Sequence, residues 1–134
     1  MYLLDTSIVS ELRRPEPHPS LARWIAEVPS DRLFLSAATL GELQAGIEKV
    51  RDWDPRSASE LETWLEAVVE SGAVLPMDAE CFRECARIQH RRPRGGSRVA
   101  MIAATARVHQ FTVVTADGEV FRRLGVAWVN PLGE

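Results

Sequence analysis

Short apolar runs, each followed by a stretch with helical spacing, most narrow what this chain can fold into. Tyr2 to Leu4 precedes Ile8, Val9 and Leu12. Leu33 to Leu35 precedes Leu40, Leu43, Ile47 and Val50, and Phe111 to Thr115 precedes a short helical stretch around Glu119 to Leu124. Runs of this length suit buried strands, and a parallel connection needs a crossover long enough to hold a helix. The class expected is therefore α/β, a short parallel β-sheet flanked by helices.

Punctuation along the chain supplies the element boundaries. Asp5, Thr6 and Ser7 close the first strand with residues suited to capping a helix. After the loop from Pro15 to Pro19, Leu21, Trp24, Ile25 and Val28 predict a helix that stops at Pro29. Ser36 is placed to cap a helix from Ala37 to about Asp52, and a second long helix runs from about Pro55 to Ser71. Val74 and Leu75 read as a short strand, and residues 79 to about 91 as a helix. A linker from Arg92 to Ser97 leads into a helix from Arg98 to His109 whose small residues permit close packing on a sheet. The strand from Phe111 to Thr115 is the clearest in the chain, and a last strand lies near Val126 to Val129.

Ligands on such sheets bind at the carboxyl ends of the strands, where Asp5 and Asp117 are expected. Glu42 falls near the first turns of the helix after the second strand. None of these acids has a lysine or arginine directly beside it in sequence, and carboxylates converging without such partners call for a cation. Oxygen-only ligands suit Mg²⁺ or Mn²⁺, ions often shared with a phosphate substrate, so phosphodiester hydrolysis is the natural chemistry. The ordinary alternative is that Asp5 merely caps a helix and Glu42 is a solvated surface residue.

The remaining composition bounds the setting. A chain of 134 residues suits one domain, residues 1–134. No apolar run approaches the ~20 residues of a membrane span, and the N-terminus has no basic segment before an apolar one, so a cytoplasmic protein without membrane contact is expected. Cys81 and Cys85 fall on one helix face and read as small buried hydrophobes. The net charge of −3 does not suggest a polyanion binder, yet arginines cluster at Arg13 and Arg14, at Arg91, Arg92, Arg94 and Arg98, and at Arg122 and Arg123. A local basic surface is compatible with the acidic total.

Four stretches in order carry a family resemblance: Leu3 to Ser7, Leu35 to Leu43, Ile102 to Ala106, and Val114 to Asp117, with Val129, Asn130 and Pro131 as the close. Together they resemble the VapC toxins of the PIN-domain ribonuclease family, over Met1 to Pro131. The resemblance implies a PIN-like parallel sheet with helices on both faces and Mg²⁺-dependent endoribonuclease activity. It also implies homodimerisation and a VapB-type antitoxin whose tail covers the site, with DNA bound only through that antitoxin. By position, Asp5, Glu42 and Asp117 match acidic metal-site residues of the family, and Thr6, Ser7 and Thr115 match polar residues that position waters and carboxylates. Ser7 stands where asparagine is commoner.

One departure bears on activity. Relatives usually carry Asp immediately before the stretch matching Ala100 to Ala106, and here the position is Val99, which cannot ligate a metal. Loss of one carboxylate of four is expected to weaken Mg²⁺ binding and misplace the attacking water. Three explanations stand: a naturally degenerate toxin, an inactivating change selected or made against toxicity, or rescue by Glu119. The first two are preferred.

RNA needs a cationic path beside the acids, and Arg13, Arg14, Arg92, Arg94 and Arg98 are the candidates, against the ordinary reading of arginines as solvated surface. His18, His90 and His109 have a weaker claim. Trp24, Trp53, Trp64 and Trp128 are too many large apolar groups for one small core, and Trp53 and Trp64, on the two long middle helices, are the expected antitoxin contacts. Phosphotransfer phosphatases need a second Asp where Ser7 stands, and a receiver domain needs a strand-end lysine, whereas Lys49 is the only lysine. The leading alternative is a catalytically degenerate PIN domain acting as an antitoxin-binding module in an autoregulatory DNA-binding complex.

Overall fold

Leu3 and Leu4 leave opposite sides of the first strand, and the core divides along that alternation. The computed structural model describes residues 1–91 and 96–133. Strand β1 (Tyr2–Leu4) sends Leu3 into one apolar cluster with Ile102, Ala103, Val113 and Phe121, and Leu4 into a second with Ile8, Leu21, Leu43, Leu65 and Val114. Pairs on the other strands divide likewise: Phe34 and Leu35 on β2 (Leu33–Ser36), Leu75 and Val74 on β3 (Val74–Leu75), Val113 and Val114 on β4 (Thr112–Val114). A sheet apolar on both faces must be covered on both, as expected for parallel strands.

Helices α1 (Thr6–Arg13), α2 (Pro19–Glu27), α3 (Ala37–Arg51) and α4 (Pro55–Glu70) cover the Leu4 face. Helices α5 (Ala79–Arg91), α6 (Ser97–His109) and α7 (Gly118–Arg123) cover the Leu3 face. The alanines of α6, with Ala103, Ala104 and Ala106 fully buried, let that helix lie close on the sheet. Each wholly buried Leu, Ile or Phe contributes about 1.5–3 kcal/mol. Cys81 and Cys85 are buried and unpaired on α5, and burial raises both thiols, which agrees with their reading as small hydrophobes.

Among the described residues the sheet has the order β3-β2-β1-β4-β5, with β5 at Trp128–Val129 and every neighbouring pair parallel. The chain runs outward from β1 through β2 to β3, then returns to the other side of β1 for β4 and β5. That reversal leaves a crevice at the carboxyl ends of β1 and β4, the place where sheets of this class hold ligands.

The observed elements differ from expectation mainly at their ends. Phe111 belongs to the close of α6: Gln110 takes a left-handed backbone with φ 60° and the Phe111 N–H bonds Ala106 O at 2.9 Å, so β4 starts at Thr112. Val126 closes α7 through a 3.0 Å bond to Phe121 O rather than opening β5. Trp53 lies in the turn between α3 and α4, not on a helix, because Asp54 caps α4 by accepting from Ser57 N at 3.2 Å. The expected linker lies largely outside the described residues, and with it the RNA candidates Arg92 and Arg94. No helix among the described residues is long and apolar enough to cross a membrane.

Candidate active site

The crevice between β1 and β4 is tied together by one buried hydroxyl. Asp5 follows β1 and caps α1, its Oδ1 accepting from Thr6 N at 2.8 Å. Its Oδ2 accepts from Thr115 Oγ1 at 2.8 Å, and from Ser7 Oγ at 3.4 Å. Thr115, fully buried after β4, also accepts from the backbone N–H of Asp117 at 3.0 Å. A single side chain therefore fixes the Asp5 carboxylate and the backbone that carries Asp117. Asp117 is exposed at the start of α7 and makes no side-chain capping bond, so local helix geometry does not claim its carboxylate.

Glu42 arrives from α3 and is joined to the same corner through Thr6. Thr6 Oγ1 donates to Glu42 Oε1 at 2.7 Å and lies 3.1 Å from the hydroxyl of Thr39, which is buried one turn before Glu42. Beneath them Ser36 Oγ and Thr105 Oγ1 share a buried bond of 3.1 Å, linking the end of β2 to α6. Buried hydroxyls in a parallel sheet's apolar core must find such partners. Thr39 and Thr105 were not singled out from the sequence, and Ser36 only as the cap of α3, where it accepts from Ala38 N at 3.1 Å. Their signal was present, as polar residues inside two of the four stretches that carried the family resemblance.

The second oxygen of Glu42 is where structure and expectation part. Arg98 Nη1 lies 2.8 Å from Glu42 Oε2, so the acid that had no basic neighbour in sequence has one in space. Among the described residues, no three Asp, Glu, His or Cys side chains stand together as a finished metal cage. Val99 turns to the apolar cluster of Leu3 and Ile102. Glu119, the proposed substitute ligand, has its oxygens engaged by Arg122 and Arg123, and the Arg122 bond chiefly holds its carboxyl down at about 2. Recruiting Glu119 to an ion means breaking those pairs.

Of the other arginines, Arg13 lies over the Trp64 ring at 5.9 Å and Arg14 pairs with Glu11 at 3.2 Å. Both sit at the far end of α1 from Asp5, about 10 Å along the helix. Trp24 packs edge-on against Tyr2, leaving Trp53, 74% exposed, and Trp128, 41% exposed, as the open indoles. The Trp128 ring lies on Gly118, where an added Cβ would stand 2.2 Å from it, so no larger residue fits beside Asp117 without moving that ring. His18 caps α2 and His109 packs against Phe111, which leaves neither as a component of the acid corner. A cleft of about 460 Å³ lined by Arg87, Arg91, Arg107 and Arg123 around Glu84 shares no residue with the acids.

Thr115→Val tests the tie directly. It keeps the shape but removes the donor to Asp5 and the acceptor for Asp117 N–H. Groups that orient ligating carboxylates commonly carry factors of 10–100, so any reaction that depends on the Asp5 carboxylate is expected to fall by about that much, with a stability loss of about 1–3 kcal/mol in urea melts. Unchanged activity in a folded variant would show that this hydroxyl does not hold a working site.

The PIN domain family model matches residues 2–127. The chain is 33% identical over 138 residues to VapC ribonuclease Y4jK of Sinorhizobium fredii, covering 98% of this chain and 97% of that protein. It is 32% identical over 138 residues to toxin FitB of Neisseria gonorrhoeae, covering 98% of each. The solved structure of FitAB bound to an IR36 DNA fragment superimposes with a TM-score of 0.86 at 28% identity, covering 100% of this chain and 97% of that one. With a family model that spans most of the chain and near full-length similarity to named relatives, the chain belongs to the PIN-domain family, alongside the VapC and FitB toxins.

Proposed function

We propose that the chain is the toxin half of a VapBC-type toxin–antitoxin pair, an endoribonuclease that hydrolyses RNA phosphodiester bonds with Mg²⁺ or Mn²⁺. The observation that carries this reading is the acid corner at the sheet's switch point, where Thr115 holds Asp5 and Thr6 holds Glu42. The donor chemistry fits a hard divalent ion, since Asp5, Glu42 and Asp117 offer only carboxylate oxygens and Asp117 is uncommitted to helix capping. Such an ion, when bound, supplies hydroxide from water and neutralises charge on the phosphate.

The chain's own residues do the positioning. Thr115 keeps Asp5 Oδ2 facing the crevice by donating to it, and Thr6 fixes Glu42 in the same way. Ser7, exposed beside Asp5, is placed to orient a water or the substrate. Arg98 is the candidate RNA contact at the acids, with Arg13 and Arg14 farther along α1 to meet the backbone of a longer strand. Val99 withholds one carboxylate, so catalysis is attenuated relative to a PIN site with Asp there.

The partner is a VapB-type antitoxin, by analogy with the FitAB assembly, and DNA is reached only through it. Exposed Trp53 and Trp128 suit that contact or a homodimer interface. A second reading, the catalytically degenerate antitoxin-binding module, is favoured by the Arg98–Glu42 pair together with Val99. RNA cleavage by the antitoxin-free chain, measured with Mg²⁺ and then with excess EDTA, separates the two. Loss of cleavage on chelation supports the nuclease, and antitoxin binding without any cleavage supports the module.

A further inference from the structure

We propose that Arg98 is an internal counter-cation of the acid corner, one that competes with a divalent ion for Glu42. The proposal rests on the divalent-cation reading above and adds how access to that site is controlled. Both Glu42 oxygens are occupied in the structure, Oε1 by the Thr6 hydroxyl at 2.7 Å and Oε2 by the Arg98 guanidinium at 2.8 Å. Each oxygen keeps a further lone pair, so the Thr6 hydroxyl can stay, but an ion that takes Glu42 as a ligand meets the competing charge of the guanidinium.

Position and exposure explain why Arg98 can perform this exchange. It lies in the first turn of α6, after Gly96, which gives no side-chain cap. A cation there faces the positive end of the helix dipole and is disfavoured unless an anion offsets it. Glu42 is that anion. The Glu42 side chain is only 20% exposed whereas Arg98 is 61% exposed, so the carboxylate stays at the corner while the guanidinium has solvent to swing into. Once released, it stands at the rim with its donors free for a phosphate oxygen, the role for which a planar guanidinium is suited.

Val99 strengthens the arrangement. It turns into the apolar cluster and offers Arg98 no second carboxylate at that position, so the guanidinium and the ion compete for Glu42. Linkage makes the effect reciprocal: whatever hold Arg98 has on Glu42 is subtracted from the ion's affinity.

The test is a Mn²⁺ titration followed by electron paramagnetic resonance on the antitoxin-free full chain, which reads binding without reference to activity. Arg98→Gln removes the charge at an exposed position and keeps most of the length, and circular dichroism checks its fold. It is expected to bind Mn²⁺ about five-fold more tightly than the parent, or better. That gain is expected to vanish when Glu42→Gln is added. Equal or weaker binding by Arg98→Gln overturns the proposal, as does a gain that survives Glu42→Gln, because the effect would then be general charge. If neither parent nor Arg98→Gln binds Mn²⁺ at millimolar concentration, the divalent-cation reading falls along with the proposal, whereas Mn²⁺ binding indifferent to Arg98 overturns the proposal alone.

Discussion

Asp5→Asn is expected to lower metal-dependent RNA cleavage by about 10³-fold or more while leaving the fold in place, because site groups acting as a unit carry effects of that size. Asparagine is as good a helix cap as aspartate, so the 2.8 Å bond from Thr6 N to the side-chain oxygen survives and unfolding free energy changes by about 1 kcal/mol or less. The substitution removes the negative charge that Thr115 holds in the crevice. Single-turnover cleavage of a labelled RNA, with a urea melt as control, reads both quantities. A folded Asp5→Asn protein that cuts RNA at the parental rate would remove Asp5 from the chemistry.

Val99→Asp is expected to act in the opposite direction, raising Mg²⁺-dependent cleavage by about 10- to 100-fold. The residue lies in the first turn of α6 next to Arg98, and the family resemblance implies that a carboxylate at this position completes the acid set. An acid in a helix's first turn gains about 0.3–1 kcal/mol from the dipole, which offsets part of the cost of withdrawing the valine methyls from the Leu3 cluster. Parallel assays of parent and variant, purified from one host and freed of antitoxin, provide the measurement. No gain in a folded variant would mean that Asp5, Glu42 and Asp117 do not form a site that a fourth carboxylate can complete.

The sheet and most helices were legible because each strand is a short apolar run and most helices carry an apolar stripe, with α6 marked instead by its run of small residues. Leu3 and Leu4 show why: their opposite destinations are implied by a strand buried on both faces. Element ends were less legible, since they depend on single backbone bonds. Phe111 looked like strand but closes a helix through Gln110, and Trp53 looked helical but precedes the Asp54 cap.

Asp5, Glu42 and Asp117 were readable from pattern alone as acids at strand ends and a helix start, whereas Thr115 drew its role from resemblance. The Arg98–Glu42 pair was not anticipated, because it joins α3 to α6 across elements distant in sequence. A clue existed in Arg98 itself, a cation at the unfavourable end of a helix, which implies a nearby anion. The burial of Thr39, Ser36 and Thr105 likewise required the packed structure, since hydroxyls read as surface until the sheet is assembled over them.

The most direct test of the central claim, that the acid corner at the β1 and β4 ends is a divalent-cation site that cuts RNA, is a Mg²⁺ and Mn²⁺ titration of RNA cleavage by the antitoxin-free parental chain. The expected result is cleavage that rises with either ion, is abolished by EDTA and returns when the ion is restored. Cleavage indifferent to EDTA, or none at any ion concentration in a folded protein that still binds its antitoxin, would contradict it.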